Sequence, residues 1–265
     1  MKDKKFLYIT LILCFGGLIT FYGFPFIEGI TRTIFEENKL SLGKYISLFG
    51  NSSFRVAVKN TSIFTLVSVL LINMYSFSVA LLLWRGRSKW CLVGLILPYV
   101  VPVISTVSAW LFMMNRISSQ LLYGDYSIVV IVIIYIWKYS GFHILVYYSG
   151  IRSIPKSHFE AAVIDGASTS QIIRSIVIPE SRSFAVFNLI FSILHSFKMF
   201  RDIYILFGNY PPKNVYLIQH FIQNNYTALS YDNVLCAGYV FVGIVLIVFV
   251  PLFVRERKDE RYYES

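Results

Sequence analysis

Charge is scarce in this chain: 14% of its 265 residues are Asp, Glu, Lys or Arg, against 56% hydrophobic and 17% aromatic. With a mean hydropathy of +0.63, that balance lies far from a soluble domain and is that of a membrane protein. The signatures of catalysis are absent too. No Gly-x-x-x-x-Gly-Lys-Ser/Thr occurs, so the chain has no P-loop to hold ATP phosphates. There is no His/Glu zinc spacing and no nucleophile elbow. His143, His158, His195 and His220 are scattered, and each reads as a structural or surface residue. Cys14, Cys91 and Cys236 lie in or beside apolar runs without ligand spacing, and read as buried packing residues rather than a zinc site or a disulfide framework. A non-catalytic chain that binds no cofactor or metal is expected.

What is present is apolar length. About 20 apolar residues cross the hydrocarbon core, and six runs qualify: 6–27, 61–84, 91–114, 127–150, 183–207 and 233–254. The expected fold is therefore an all-α membrane protein of six transmembrane helices, with residues 1–265 as one domain. No small-x-small cleavage site follows the first run, which is expected to stay as a signal anchor. Lys2, Lys4 and Lys5 precede the first span, and Arg85, Arg87 and Lys89 fill the short loop after the second. Positive residues near spans stay in the cytoplasm, so both termini, the tail from Arg255 and the 152–182 loop are expected inside. The segment 28–59 opposes this, because Arg32, Lys39, Lys44, Arg55 and Lys59 would lie outside; Glu28, Glu36 and Glu37 count for little. The net charge of +10 is spread over loops on both faces, which fits anionic lipid headgroups better than nucleic acid.

Between the fourth and fifth runs lies a polar, small-residue insert, and its chemistry reads as helix, tight turn, helix. Ser157 and Glu160 have capping-box spacing, which predicts a helix starting near His158. Gly166 suits a left-handed C-terminal residue, and Ser168 with Gln171 repeats the capping-box spacing. The second helix is expected to stop before Pro179.

Taken together, Glu160, Ala161, Ala162, Asp165, Gly166, Ala167, Ile176 and Pro179 resemble the EAA loop of ABC importer permeases, with Ile178 where leucine is usual. Other stretches are similar to the carbohydrate-type subgroup. These are Leu42-Gly43-Lys44-Tyr45 with Phe54, Ala57, Asn60 and Thr61; Leu97-Pro98 with Trp110; and Trp137, Gly141, Phe142 and Ile154-Pro155. Three features depart from the subgroup. The 115–126 connection is short, Arg201 takes the usual Asp position with Asp202 one further on, and Phe207-Gly208-Asn209-Tyr210-Pro211 replaces Thr-Gly-Gly-Gly-Pro.

The resemblance implies a type I ABC importer permease-like fold whose 152–182 loop is a cytoplasmic coupling helix pair. It implies two ATPase subunits carrying ATP and Mg, a second permease chain forming a heterodimer, an extracellular solute-binding protein, and a sugar, polyol or glycoside as cargo. The setting it implies is a bacterial-type cytoplasmic membrane.

The fifth span carries costly residues. Lys198 and Asp202, four apart, can meet on one helix face. A secondary transporter would use such charges, but it predicts internal repeats with broken helices in matching positions, and no repeat is visible. Asn188, Ser192, His195 and Asp202 form one polar stripe, readable as a substrate path or as glue between helices. The Pro98 and Pro102 of the third span, with Ser105 and Ser108 beyond them, read as a kink.

Overall fold

The computed structural model describes the backbone of residues 2–36, 39–86, 90–117 and 119–263, and the side chains of 10–36, 39–86, 91–117 and 120–252. Arg87, Lys89 and Glu37 lie outside the described residues, as do the side chains of Lys2, Lys4, Lys5 and Arg255.

In chain order, α1 (Lys2–Leu18) runs through a π turn (Ile19–Gly23) into α2 (Phe24–Ile34). A two-residue hairpin, β1 (Phe35–Glu36) and β2 (Lys39–Leu40), leads to α3 (Gly43–Gly50) and the long α4 (Ser52–Arg85). Next come α5 (Trp90–Val100), α6 (Val103–Ile117), α7 (Ser119–Tyr123) and α8 (Ser127–Ser153). The insert holds α9 (Lys156–Ile164), α10 (Thr169–Ile172), a π turn (Ile173–Val177) and α11 (Ile178–Glu180). It is followed by α12 (Arg182–Phe207), α13 (Ile218–Thr227) and α14 (Tyr231–Tyr263).

Five described helices are long and apolar enough to cross a membrane: Thr10–Ile34, Ser52–Arg85, Ser127–Ser153, Arg182–Phe207 and Tyr231–Leu252. The sixth expected span is not one kinked helix. Cys91–Val100 and Val103–Ile117 meet at 98°. The break falls at Val101 and Pro102, whereas Pro98 is carried inside α5. A proline lacks the N–H and disfavours helix in the residue before it, so the second proline ends one helix where the first is absorbed. Nor is 28–59 a loop. Helix α2 extends to Ile34 and α4 begins at Ser52, which places Arg32 and Arg55 on helices, and Arg32 pairs with Glu28 at 2.6 Å. The cysteine expectation is corrected as well, since Cys236 is buried but Cys14 and Cys91 are exposed.

The chain divides into two compact units. In the first, Met1–Arg55 with Phe221–Ile244, the Tyr239 ring packs edge-on against Phe26 and its hydroxyl donates to the Phe26 carbonyl at 2.8 Å. Lys44 donates to both Asp232 and the Arg32 carbonyl, at 3.0 Å each. In the second, Val56–His220 with Val245–Ser265, the core is built around α8. Ile131, Ile134 and Tyr135 are buried against Phe64, Val107, Met199 and Ile203. Gly141 sets the closest approach, because a Cβ there would lie 2.1 Å from the Leu95 carbonyl oxygen of α5. His220 is structural in this unit: its Nδ1 accepts from the Leu217 N–H at 3.2 Å, and burial pushes its imidazole down to about 4.

Candidate functional site: the insert and the polar seam

The insert is fixed at its start by Ile154, buried in a cluster with Ile151, Ala80 and Tyr147. Extended backbone at Pro155 (φ −56°, ψ 136°) then makes it the N-cap, and α9 begins at Lys156. This shifts Ser157 inside the first turn, so the expected Ser157–Glu160 capping box does not form. A capping side chain must sit on the residue outside the helix, and Ser157 lies two residues past that position.

The end of α9 explains much of the motif. The Ala167 N–H donates to the Ala162 carbonyl at 2.9 Å and the Gly166 N–H to the Val163 carbonyl at 3.0 Å. That pair of bonds is a Schellman closure, which needs a left-handed residue at Gly166, where φ is +75°. The closure also brings its flanking residues into apolar contact, and Ala162 and Ala167 both pack on the Ile154 cluster. Ser168 then caps α10 as expected: its Oγ accepts from the Gln171 N–H at 3.4 Å, while its own N–H donates to Gln171 Oε1 at 2.7 Å.

The chain does not leave the helical path before Pro179. It widens into the π turn, where the Ile178 N–H reaches back to the Ile173 carbonyl, and Pro179 enters the first turn of α11. Both devices follow from the missing N–H and bulky ring of proline, which a new first turn tolerates.

The insert is thus two-faced. Phe159, Ala162, Ala167, Ile172, Ile176 and Val177 pack inward, with Phe159 against Trp84 at 5.1 Å between ring centroids. Outward lie Glu160, Ala161, Asp165, Pro179 and an apolar tip that sequence reasoning missed, Val163 (64% exposed) and Ile164 (85% exposed). His158 Nδ1 lies 2.7 Å from Glu180 Oε1, tying α9 to α11.

The stripe on α12 lies in a different environment. Asn188, Ser192, His195 and Asp202 are all buried. Asn188 Oδ1 is 2.7 Å from His143 Nδ1 and its amide donates to the His143 carbonyl at 3.1 Å, while His143 Nε2 is 3.2 Å from His195 Nδ1. Ser192 Oγ accepts from Asn73 at 2.9 Å, and Asn73 in turn accepts from the Tyr147 hydroxyl at 2.9 Å. The Tyr135 hydroxyl donates to the Ser192 carbonyl at 2.7 Å, and Thr65 and Ser196 hydroxyls lie 3.0 Å apart. These bonds zip α4, α8 and α12 together.

The cation at Asp202 is Lys138 of α8, not Lys198. Lys198 is exposed, because its helix turns it away from the seam. Lys138 was detectable as the one formal charge in the 127–150 run, and only its partner was hidden. Two of the four histidines are not scattered. His143 and His195 form one cluster, with the Tyr139 ring stacked on His195 at 4.4 Å and Tyr99 and Phe142 edge-on to it.

Residues 61–255 match the model of a family described as binding-protein-dependent transport system inner membrane component. The chain is 28% identical over 198 residues to a xylose/arabinose import permease protein of Haloferax volcanii, covering 68% of this chain and 62% of that one. It therefore spans less than two thirds of that permease. An sn-glycerol-3-phosphate transport system permease protein of Rhizobium meliloti is 24% identical over 271 residues, covering 90% and 91%. In fold, the chain is similar to a solved chain of a bacterial ABC transporter involved in the import of the acidic polysaccharide alginate. That match has a TM-score of 0.83 and 21% identity, and covers 97% and 96% of the two chains.

Proposed function

The chain belongs to the binding-protein-dependent transport system inner membrane component family, and from that premise we propose that residues 1–265 form one permease subunit of an ATP-driven importer. The observation that carries the proposal is the two-faced insert, a helix pair clipped onto the ends of α4, α5 and α8 that presents Glu160, Val163, Ile164 and Asp165 outward. An apolar tip flanked by carboxylates suits a groove with a basic rim on a cytoplasmic ATPase. Glu160 and Asp165 face that partner; Ala162, Gly166, Ala167 and Ile176 hold the shape; Ala161 and Pro179 lie on the exposed side. ATP and Mg belong to the ATPase pair, whose closure would push on this insert and so bias the spans between inward and outward states.

The remaining partners are a second permease chain in a heterodimer and an extracellular solute-binding protein, in a bacterial-type cytoplasmic membrane with both chain ends inside. The cargo is a sugar, polyol or glycoside, a reading supported by the names of the relatives. A secondary transporter driven by Lys198 and Asp202 has no support, since the family is binding-protein-dependent and Asp202 is tied to Lys138.

For the α12 stripe, burial and the hydrogen bonds and ion pair it makes to α4 and α8 of the same chain favour helix glue. A path role is the second reading, favoured by the aromatic rings around His195 that lead out to half-exposed Tyr99. Ser192→Ala and His195→Ala, assayed singly for uptake and ATPase in an assembled complex, decide between them; wild-type values for both would end the path reading.

Gly166→Val tests the coupling assignment. A Cβ there meets nothing within 4 Å, so the variant acts on the turn alone. The expected result is normal membrane insertion with loss of ATPase co-purification and transport together. Normal ATPase binding by a transport-dead variant would overturn the assignment. Orientation is tested by single cysteines: one near Lys156 is expected to be shielded from an impermeant thiol reagent in intact cells, and one near Lys213 to react.

A further inference from the structure

At the opposite ends of the spans from the insert, three segments of the second unit line an open cavity of about 520 Å³, in which Lys59, Asp125 and Lys213 are exposed. It is lined by Val56, Lys59 and Asn60 before the apolar run of α4, by Tyr123, Gly124 and Asp125 before α8, and by Pro212, Lys213 and Asn214 beyond α12. The frame is hydrogen-bonded in advance. The Asn60 amide donates to the Lys213 and Tyr216 carbonyls at 2.6 and 3.1 Å. Asn214 accepts from the Ser127 hydroxyl at 2.7 Å and donates to the Asp125 carbonyl at 2.8 Å.

With both asparagines occupied by the frame, the ionised groups left to a ligand are Lys59, Lys213 and Asp125. Among the described residues none of their side chains has an ion-pair partner. Two ammonium groups and one carboxylate leave a single net positive charge. All three segments sit within a few residues of a span end, which is headgroup depth, and exposed Tyr123 and Tyr126 stand beside the cavity as interfacial aromatics do.

We infer that this cavity binds the headgroup of one anionic phospholipid of the phosphatidylglycerol type. Its phosphate lies between Lys59 and Lys213, and its glycerol hydroxyls donate to Asp125. The volume falls within the range of small-ligand sites. The charge matches as well: one phosphodiester neutralises the net charge of the lining, and Asp125, which would repel a bare phosphate, accepts the diol. A choline headgroup offers no such donor. This inference needs only that the chain spans a membrane, and stands whether or not the coupling assignment above does.

The test is native mass spectrometry of the full chain in detergent, with phosphatidylglycerol, phosphatidic acid or phosphatidylcholine added. Wild type is expected to retain phosphatidylglycerol selectively, and K59E/K213E to retain it about thirtyfold less at unchanged helical circular dichroism. Asp125→Ala is expected to lose the preference for phosphatidylglycerol over phosphatidic acid. Equal retention by wild type and K59E/K213E overturns the proposal. So does displacement of the lipid by millimolar soluble glycerol phosphate, which would make the site one for a free anion. Unchanged lipid retention in K59E/K213E with lost stimulation by a solute-binding protein would assign the cavity to protein docking instead.

Discussion

The insert turn and the packing of α8 against its neighbours each depend on a glycine, Gly166 in the turn and Gly141 where α8 meets α5, and the two glycines work in opposite ways. At Gly166 the space around a Cβ is empty but φ is +75°, so the requirement is for a backbone conformation. At Gly141 a Cβ would strike the Leu95 carbonyl oxygen at 2.1 Å, so the requirement is for room. The bonds differ in the same sense. Those of the insert turn join residues three to five apart, whereas those of the seam join residues 45 to 131 apart. A feature closed by its own neighbours can be perturbed without disturbing the spans. The seam is part of what holds the spans together.

The sharpest break in that comparison is Lys138→Ala. Removing one member of a buried ion pair leaves Asp202 uncompensated and is expected to cost about 3–5 kcal/mol, read as a fall in thermal unfolding temperature in detergent. Asp202→Asn with Lys138→Met is expected to recover much of that loss; a double variant as unstable as the single one would deny the pairing. Gly141→Ala comes next, at roughly 1–3 kcal/mol or more, because it forces α5 away from α8. Gly166→Val follows at on the order of 1–2 kcal/mol. Its effect belongs on ATPase association rather than on unfolding of the spans, and a variant that unfolds like Gly141→Ala would erase the distinction between the regions. Ser168→Ala removes one cap and is expected to cost about 1 kcal/mol, seen as faster amide exchange confined to α10. Smallest is Lys198→Ala, expected within ~0.5 kcal/mol of wild type; a loss matching Lys138→Ala would place the partner of Asp202 back on its own helix.

Legibility follows the same division. The Gly166 turn and the Ser168–Gln171 cap could be read directly, since every atom involved lies within a few residues in sequence. The Ser157–Glu160 box was misread despite its local spacing, because the start of α9 is set by Pro155 and by the burial of Ile154 in a cluster drawn from α4 and α8. Lys198 and Asp202 have the right spacing to pair. Yet Lys138 wins Asp202, because a group buried in the membrane takes the partner that is buried with it. The prolines of the third span were visible, whereas the 98° angle was not: it depends on what each half-helix packs against.

By itself, then, the sequence determined that this is a membrane chain with six apolar segments and a small-residue insert shaped by Gly166. Those properties arise from transfer of apolar length into lipid and from hydrogen bonds closed over a single turn. Only the tertiary structure decided that His143, Asn188 and His195 meet, that Lys138 neutralises Asp202, and that Lys59 and Lys213 share a cavity with Asp125. Each of these joins residues on different elements, and in the fold their positions are fixed by how closely helices approach at sites such as Gly141, which no local pattern encodes.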